Sequence, residues 1–242
     1  GTKVEANLAI AADGRDSHLR TALAITAKQT DFGQQALTFA VTHPIPHNNI
    51  STEVHQSGGP FTLVPLPDYD GKPCSAVVWM ETAANARTLL RMDEATFNTA
   101  ASERCAHTMG PVTLVSRRTA WPIISQLADT FYGERTALVA EAAHVVPPIG
   151  AQGLNMSLRD IEVLLDLAIE KRGILGMPQM LTAYHKARYA EVAIRVKGVG
   201  LLNRTSMAGS GPLKRARAMG LDAIHSIDPV RKTLMKLGLG AG

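Results

Sequence analysis

The chain has 242 residues, of which 45% are hydrophobic and 19% charged, with a net charge of +4. That composition supplies core for one large domain or two small ones and excludes a disordered chain. Aromatic residues make up only 5% and no apolar run reaches the roughly 20 residues of a membrane span, so neither a nucleic-acid stacking platform nor a spanning helix is expected.

Gly1 to Ala12 alternates and then runs apolar, which predicts a strand entering a core. The stretch has no initiator Met and reads as a chain already in progress. Asp13-Gly14 follows as a turn, and Ser17 is placed to cap a short helix. Residues 23 to 81 read as β-rich, with runs at Ala36–Thr42, Ile50–Gln56, Phe61–Pro67 and Ala76–Met80. Their spacing of about ten residues predicts a meandering antiparallel sheet. Helical character is expected over 82–107, with Asp93 capping Glu94–Ala106, and extended chain again from Val112. Asp129–Arg135 reads as a loop before a strand at Thr136–Ala140. Helices are expected at Leu154–Glu170, ended by Gly173 and Gly176, and from Pro178 to about Leu202.

The charge is unevenly spread. From Lys186 onward there are 11 Lys and Arg against 3 Asp and Glu, whereas the first 185 residues carry 14 against 18. In the tail, basic residues such as Lys214, Arg215, Arg217, Arg231, Lys232 and Lys236 interleave with apolar ones. Such a segment suits an anionic membrane leaflet, or equally a helical piece resting on protein. Cys74 and Cys105 are far apart, as in a reduced cytoplasmic protein. His43, His47 and His55 lack the rhythm of metal ligands, so no metal is expected.

Residues 137–155, Ala-Leu-Val-Ala-Glu-Ala-Ala-His-Val-Val-Pro-Pro-Ile-Gly-Ala-Gln-Gly-Leu-Asn, carry the chemistry. A buried strand, a Pro/Gly elbow and a helix start would aim unpaired backbone N–H groups at an anion or an electron-rich ring. About 125 residues earlier stands Ala12-Asp-Gly-Arg-Asp-Ser-His-Leu-Arg20.

This pair of motifs resembles the FAD-dependent aromatic hydroxylases of the para-hydroxybenzoate hydroxylase type. The string Pro-Pro-Ile-Gly-Ala-Gln-Gly-Leu-Asn with Leu158-Arg159-Asp160 is similar to their ubiquinone-biosynthesis branch. The resemblance implies an α/β fold with α+β character. Residues 1–22 and 121–210 would form an incomplete FAD-binding domain, 23–120 an antiparallel substrate sheet with a helix, and 211–242 a basic amphipathic tail. It implies FAD as cofactor, NAD(P)H as electron donor, and an aromatic or polyprenyl-phenol substrate hydroxylated through a C4a-hydroperoxyflavin. It also implies a cytoplasmic enzyme, peripheral at the inner membrane face, in a homo-oligomer or biosynthetic complex.

For the cofactor, the resemblance implies contacts from Asp13, Gly14, Arg20, Glu141, Pro147, Pro148, Gly150, Gly153, Leu154 and Asn155. Arg20 would support the Asp-Gly loop, and Glu141 would accept hydrogen bonds from the ribityl hydroxyls. The family pattern has Gly-Asp where this chain has Ala140-Glu141. His144 reads as a packed, loop-orienting residue, and no catalytic residue is assigned. Phe61, Leu63, Val64, Pro65, Trp79 and Met80 could floor the substrate pocket or simply fill the core. The family's Gly-x-Gly-x-x-Gly unit is missing, and Gly198-x-Gly200 sits in a predicted helix. The sequence therefore reads as the C-terminal three-fifths of such an enzyme, expected to bind FAD weakly or not at all when alone. A non-catalytic lipid- or partner-binding derivative of the fold, or another FAD-dependent aromatic-ring hydroxylase, stays open as the alternative.

Overall fold

The computed structural model describes residues 2–56, 58–150 and 152–207. The predicted basic tail at 211–242 lies outside them. Two compact units divide the chain: residues 2–30 and 124–202 form the first, and residues 31–123 with 203–207 form the second.

In the first unit, strand β1 (Ala9–Ala11) runs parallel to a later strand, β9 (Thr136–Leu138), pairing Ala9 with Thr136 and Ala11 with Leu138. Only three residues of the predicted Gly1–Ala12 strand are extended in a ladder, because β9 offers only three partners. Helix α1 (His18–Ala22) follows, its first turn capped by the Ser17 hydroxyl, which accepts from Arg20 N–H. The loop predicted at 129–135 contains a two-residue strand, β8 (Tyr132–Gly133), antiparallel to β9.

The second unit is built on a twisted antiparallel sheet. Strand β2 (Ala27–Thr42) is 16 residues long and begins in the first unit. Strands β3 (Thr52–Gln56), β4 (Gly59–Tyr69) and β5 (Lys72–Thr82) form a meander, but β2 pairs with β5 rather than with β3. Strand spacing predicts the hairpins and is blind to this order, which the 43–51 connection sets. The β4–β5 turn is Asp70-Gly71, both at positive φ (50° and 70°), the two-residue turn whose twist matches a hairpin. Pairing with β3 stops at Thr52–Leu63, so Pro65 and Pro67 lie on a stretch of β4 with no strand on that side among the described residues.

One face of this sheet (Leu37, Phe39, Val41, Phe61, Leu63, Val77 and Trp79) packs against helices α2 (Ala83–Arg91) and α3 (Glu94–Arg104). Asp93 caps α3 as the sequence predicts, accepting from Thr96 N–H at 2.9 Å. Arg118, its guanidinium 4.6 Å from the centroid of Phe97, donates to Leu89 O and Met92 O and so closes the end of α2. Two-residue β6 (Thr113–Leu114) joins the sheet beside β2, and β7 (Thr119–Ala128) returns the chain to the first unit.

There β10 (His144–Val145) pairs with β7. Helix α4 (Gln152–Glu170) and helix α5 (Pro178–Met207) complete the core with Met156, Leu164, Met180, Leu181 and Tyr184. α4 starts two residues earlier than its apolar rhythm suggests, and α5 extends five residues past Leu202, into the second unit. α4 buries Met156, Asp160 and Leu164 on one face, yet Leu154, Leu158, Ile161, Leu165 and Ile169 on another are each more than half exposed.

Gly176 does not cap α4, which ends six residues earlier. It sits at φ 72° with its α-carbon so close to the backbone that an added Cβ would fall 1.9 Å from Asn7 O. Backbone cannot yield as a flexible side chain can, so Gly176→Ala is expected to cost about 2–4 kcal/mol. Thermal unfolding against Gly173→Ala, where a Cβ meets nothing within 4 Å, checks this.

Candidate functional site

The two motifs meet in the first unit because β1 and β9 are parallel neighbours: each motif leaves the same end of that pair. The Asp-Gly loop is knitted by its own side chains. Asp13 accepts from the Ser17 hydroxyl at 2.6 Å and from Leu19 N–H at 3.1 Å. Partial burial alone would raise its carboxyl, but these hydrogen bonds outweigh it and hold it below its ordinary value. Gly14 has φ 88°, with open space where a Cβ would stand.

Arg20, 8% exposed, is the bridge. It donates to Arg15 O at 2.8 Å and, across 122 positions of sequence, to Ala142 O at 2.9 Å. Gln126 Nε2 also donates to Arg15 O. The loop of the first motif is thus hydrogen-bonded to the start of the second.

The second motif departs from a simple strand–elbow–helix. β9 ends at Leu138; a 3₁₀ turn at Ala140–Ala142 and the short β10 intervene before Pro147. The turn opens at Ala140 with φ 54°, the left-handed region where glycine is comfortable and alanine is strained. Glu141 is exposed, and both of its carboxylate oxygens are engaged by Arg15, through Nε and Nη2 at 3.2 Å each. Pro147 is buried, while Pro148 and Gly150 are exposed; Gly150 has φ 67°.

Gly153, Leu154 and Asn155 are exposed in the first turn of α4. In a helix beginning at Gln152 the unpaired N–H groups are by geometry those of Gln152, Gly153 and Leu154, so Asn155 falls one position beyond them. Asn155 lines a polar groove of about 510 Å³ between α4 and α5, with Arg159, Glu191 and Arg195. The ten predicted cofactor residues therefore occupy the Asp-Gly loop with helix α1 after it (Arg20), the 3₁₀ turn and elbow of the second motif, and the start of α4.

The residue beneath them is Asp160, fully buried in the middle of α4. One carboxylate oxygen accepts from Ala140 N–H at 3.0 Å and from His144 Nε2 at 2.6 Å; the other accepts from Arg188 Nε of α5 at 2.9 Å. Arg188 also donates to Met156 O and pairs with Glu191. His144 itself packs beside Phe131. Asp160 enters the sequence reading only as the end of Leu158-Arg159-Asp160, with no role assigned, and Arg188 does not enter it; the further signal is a carboxylate on the otherwise apolar face of Met156 and Leu164. Among the described residues, no group of His, Cys, Asp and Glu could hold a metal ion.

Four outcomes follow. Replacing Asp160 by Asn leaves the buried Arg188 with only the partly exposed Glu191 as counter-charge, and should cost about 3 kcal/mol in chemical denaturation. Asp160→Asn with Arg188→Met together should cost less than the sum of the two singles. Ala140→Gly should raise stability by about 0.5–1 kcal/mol, the relief of the left-handed strain less the added freedom of the unfolded chain. For Asp13, the folded carboxyl titrates below its ordinary 3.8, so the unfolded chain binds more protons in that window. Its stabilisation is therefore complete above pH 3.8 and lost as the pH falls through the folded value. Unfolding of the wild type and of Asp13→Asn should converge there.

Comparison with known proteins gives the arrangement its context. The family model described as "FAD binding domain" matches residues 1–197. Ubiquinone hydroxylase UbiL of Rhodospirillum rubrum is 29% identical over 99% of the chain and 56% of its own length. The 3-demethoxyubiquinol 3-hydroxylase of Escherichia coli is 25% identical over 99% of the chain and 61% of its own. The chain thus spans somewhat under two thirds of these relatives. Among solved structures, p-nitrophenol 4-monooxygenase PnpA from Pseudomonas putida superposes with a TM-score of 0.73 at 21% identity, covering 97% of this chain and 60% of that one. The Diels-Alderase PyrE3 of the pyrroindomycin pathway gives 0.71 at 19%, covering 96% and 50%. These two structures share the fold, and the match over 1–197 shows that the chain belongs to the FAD-binding-domain family.

Proposed function

We propose that this chain carries the flavin-ring and substrate portions of an FAD-dependent monooxygenase that hydroxylates an aromatic, polyprenyl-phenol ring in ubiquinone biosynthesis. NAD(P)H serves as its electron donor. The observation that carries the reading is Arg20 hydrogen-bonding both the Asp-Gly loop and Ala142 O, which joins two motifs over 120 residues apart into one surface.

The residues there fit a flavin. Gly14 and Gly153 have open space at the Cβ position and Gly150 meets only the Gln152 side chain at 3.9 Å, so a flat ring and its chain can approach the backbone. When bound and reduced, the flavin supplies the activation of O₂ and the transfer of one oxygen atom to an electron-rich ring. The chain's own share is binding and electrostatics. The N–H groups opening α4, through Gly153 and Leu154, stabilise negative charge at the pyrimidine side of the ring. Pro147 and Pro148 stiffen the loop beside it, and Asn155 offers its side-chain amide. Asp13 and Gly14 hold the adjoining loop, and Glu141 accepts from the ribityl hydroxyls once Arg15 shares it.

No described helix is long and apolar enough to cross a membrane. The basic residues from Lys214 onward, interleaved with apolar ones, are the candidates for a peripheral contact with an anionic leaflet that would give access to a polyprenyl substrate.

The gene's whole product, supplied with FAD, NADPH and a prenylated phenol under ¹⁸O₂, should place one labelled oxygen on the ring. Flavin reduction and reoxidation without label in the product would overturn the hydroxylation. Flotation with anionic liposomes should be lost when the tail's Lys and Arg residues become Gln, and unaltered flotation would remove the electrostatic contact.

A further inference from the structure

Arg15 and Glu141 join the two motif loops through a pair that water reaches. Arg15 Nε and Nη2 each lie 3.2 Å from a Glu141 carboxylate oxygen, and the two side chains are 28% and 48% exposed. An ion pair of that length and exposure contributes little to stability, so it yields cheaply to a ligand that serves both of its ends. Gly14, the preceding residue, has nothing within 4 Å of its Cβ position, which leaves that side open.

The main chain beneath the pair is held independently of it. Arg15 O accepts from Arg20 Nη2 at 2.8 Å and from Gln126 Nε2 at 3.0 Å, so the loop keeps its place when the side chain changes partner. Both oxygens of Asp13 are already engaged, one by the Ser17 hydroxyl and the other by Leu19 N–H. Asp16 is exposed on the same loop, where water and salt screen its charge. Arg20, 8% exposed, donates to two carbonyls and forms no ion pair among the described residues. A buried positive charge is thus tied to the carbonyl of Arg15.

The chemistry of the pair selects its replacement. A ligand with hydroxyls alone satisfies Glu141 and leaves Arg15 without a counter-charge; an anion alone does the reverse. A molecule carrying hydroxyls and an anion side by side replaces both halves. Phosphate suits the guanidinium best, because two parallel N–H groups match two of its oxygens. We propose that Arg15 is a phosphate-binding residue, which leaves Glu141 for the ribityl phosphate when a flavin nucleotide docks while Glu141 takes the ribityl hydroxyls. The assignment rests on the flavin reading and adds to it the residue that tells a flavin nucleotide from an unphosphorylated flavin.

The gene's whole product, stripped of flavin, is titrated calorimetrically with lumiflavin, riboflavin and FMN, which present in turn the ring, the ribityl hydroxyls and the phosphate. The readout is the ratio of affinities between neighbouring ligands, which a general loosening of the fold leaves unchanged. The wild type should bind FMN at least about tenfold more tightly than riboflavin, as a bidentate contact between charged groups implies. Arg15→Gln should cut that preference at least about tenfold, while riboflavin binds as tightly as before or more so, because Glu141 is then unshared. Arg15→Lys should restore part of it, since an ammonium keeps the charge without the planar fork. Glu141→Gln should leave the preference for FMN and diminish that of riboflavin over lumiflavin. A preference for FMN unchanged in Arg15→Gln, or equal losses of riboflavin and FMN, would overturn the proposal. So would a dependence on Arg15 confined to reduced nicotinamide mononucleotide, which also sets hydroxyls beside a phosphate. Absence of binding by every flavin, FAD included, would instead overturn the flavin reading and the proposal with it.

Discussion

A single buried carboxylate organises the first unit. Asp160 reaches out of α4 to hold Arg188 of α5 with one oxygen and the turn at Ala140 and His144 with the other. Three separate segments are thereby fixed to one side chain at zero exposure, where each contact is far less screened than it would be in water. Such a charge is tolerated only when its hydrogen bonds are complete, and here they are. The left-handed residue at Ala140 is part of the same account: its N–H must point at Asp160, and the backbone bends to satisfy it.

A second link, from the other side, makes the site one surface. Arg20 is buried and spends its hydrogen bonds on two carbonyls, Arg15 O and Ala142 O, rather than on a carboxylate. The pair between Arg15 and Glu141 is of a different kind. It is bidentate but open to solvent, with side chains 28% and 48% exposed, and pairs of that sort contribute little to stability. The contrast separates what holds the loops from what can rearrange when a polar ligand arrives: Arg20 and Asp160 are structural fixtures, while Arg15 and Glu141 can change partners cheaply.

Much of this was legible in the sequence, for identifiable reasons. Asp93 and Ser17 announce helix starts because a short oxygen-bearing side chain before a helix has one favourable use. The two motifs could be read because each concentrates glycine, proline and carboxylate in an order that backbone geometry demands. Partners distant in sequence could not be read. Nothing in the run around Asp160 names Arg188 or Ala140 as its companions, and nothing around Glu141 names Arg15. Strand order failed likewise, since β2 beside β5 depends on where the connection crosses. α4 shows a further limit. Its apolar residues surround so much of the helix that periodicity does not distinguish the buried face of Met156 and Leu164 from the exposed one of Leu158 and Leu165.

The outer rim of the sheet carries a consequence of its own. Its last strand, β3, has only five residues, with Glu53 and His55 among them, and the uncovered length of β4 beyond it holds Pro65 and Pro67. An approaching strand from another molecule would find two amide donors absent where it needs a continuous ladder, and a charge beside them. The rim is thereby a poor template for a further strand.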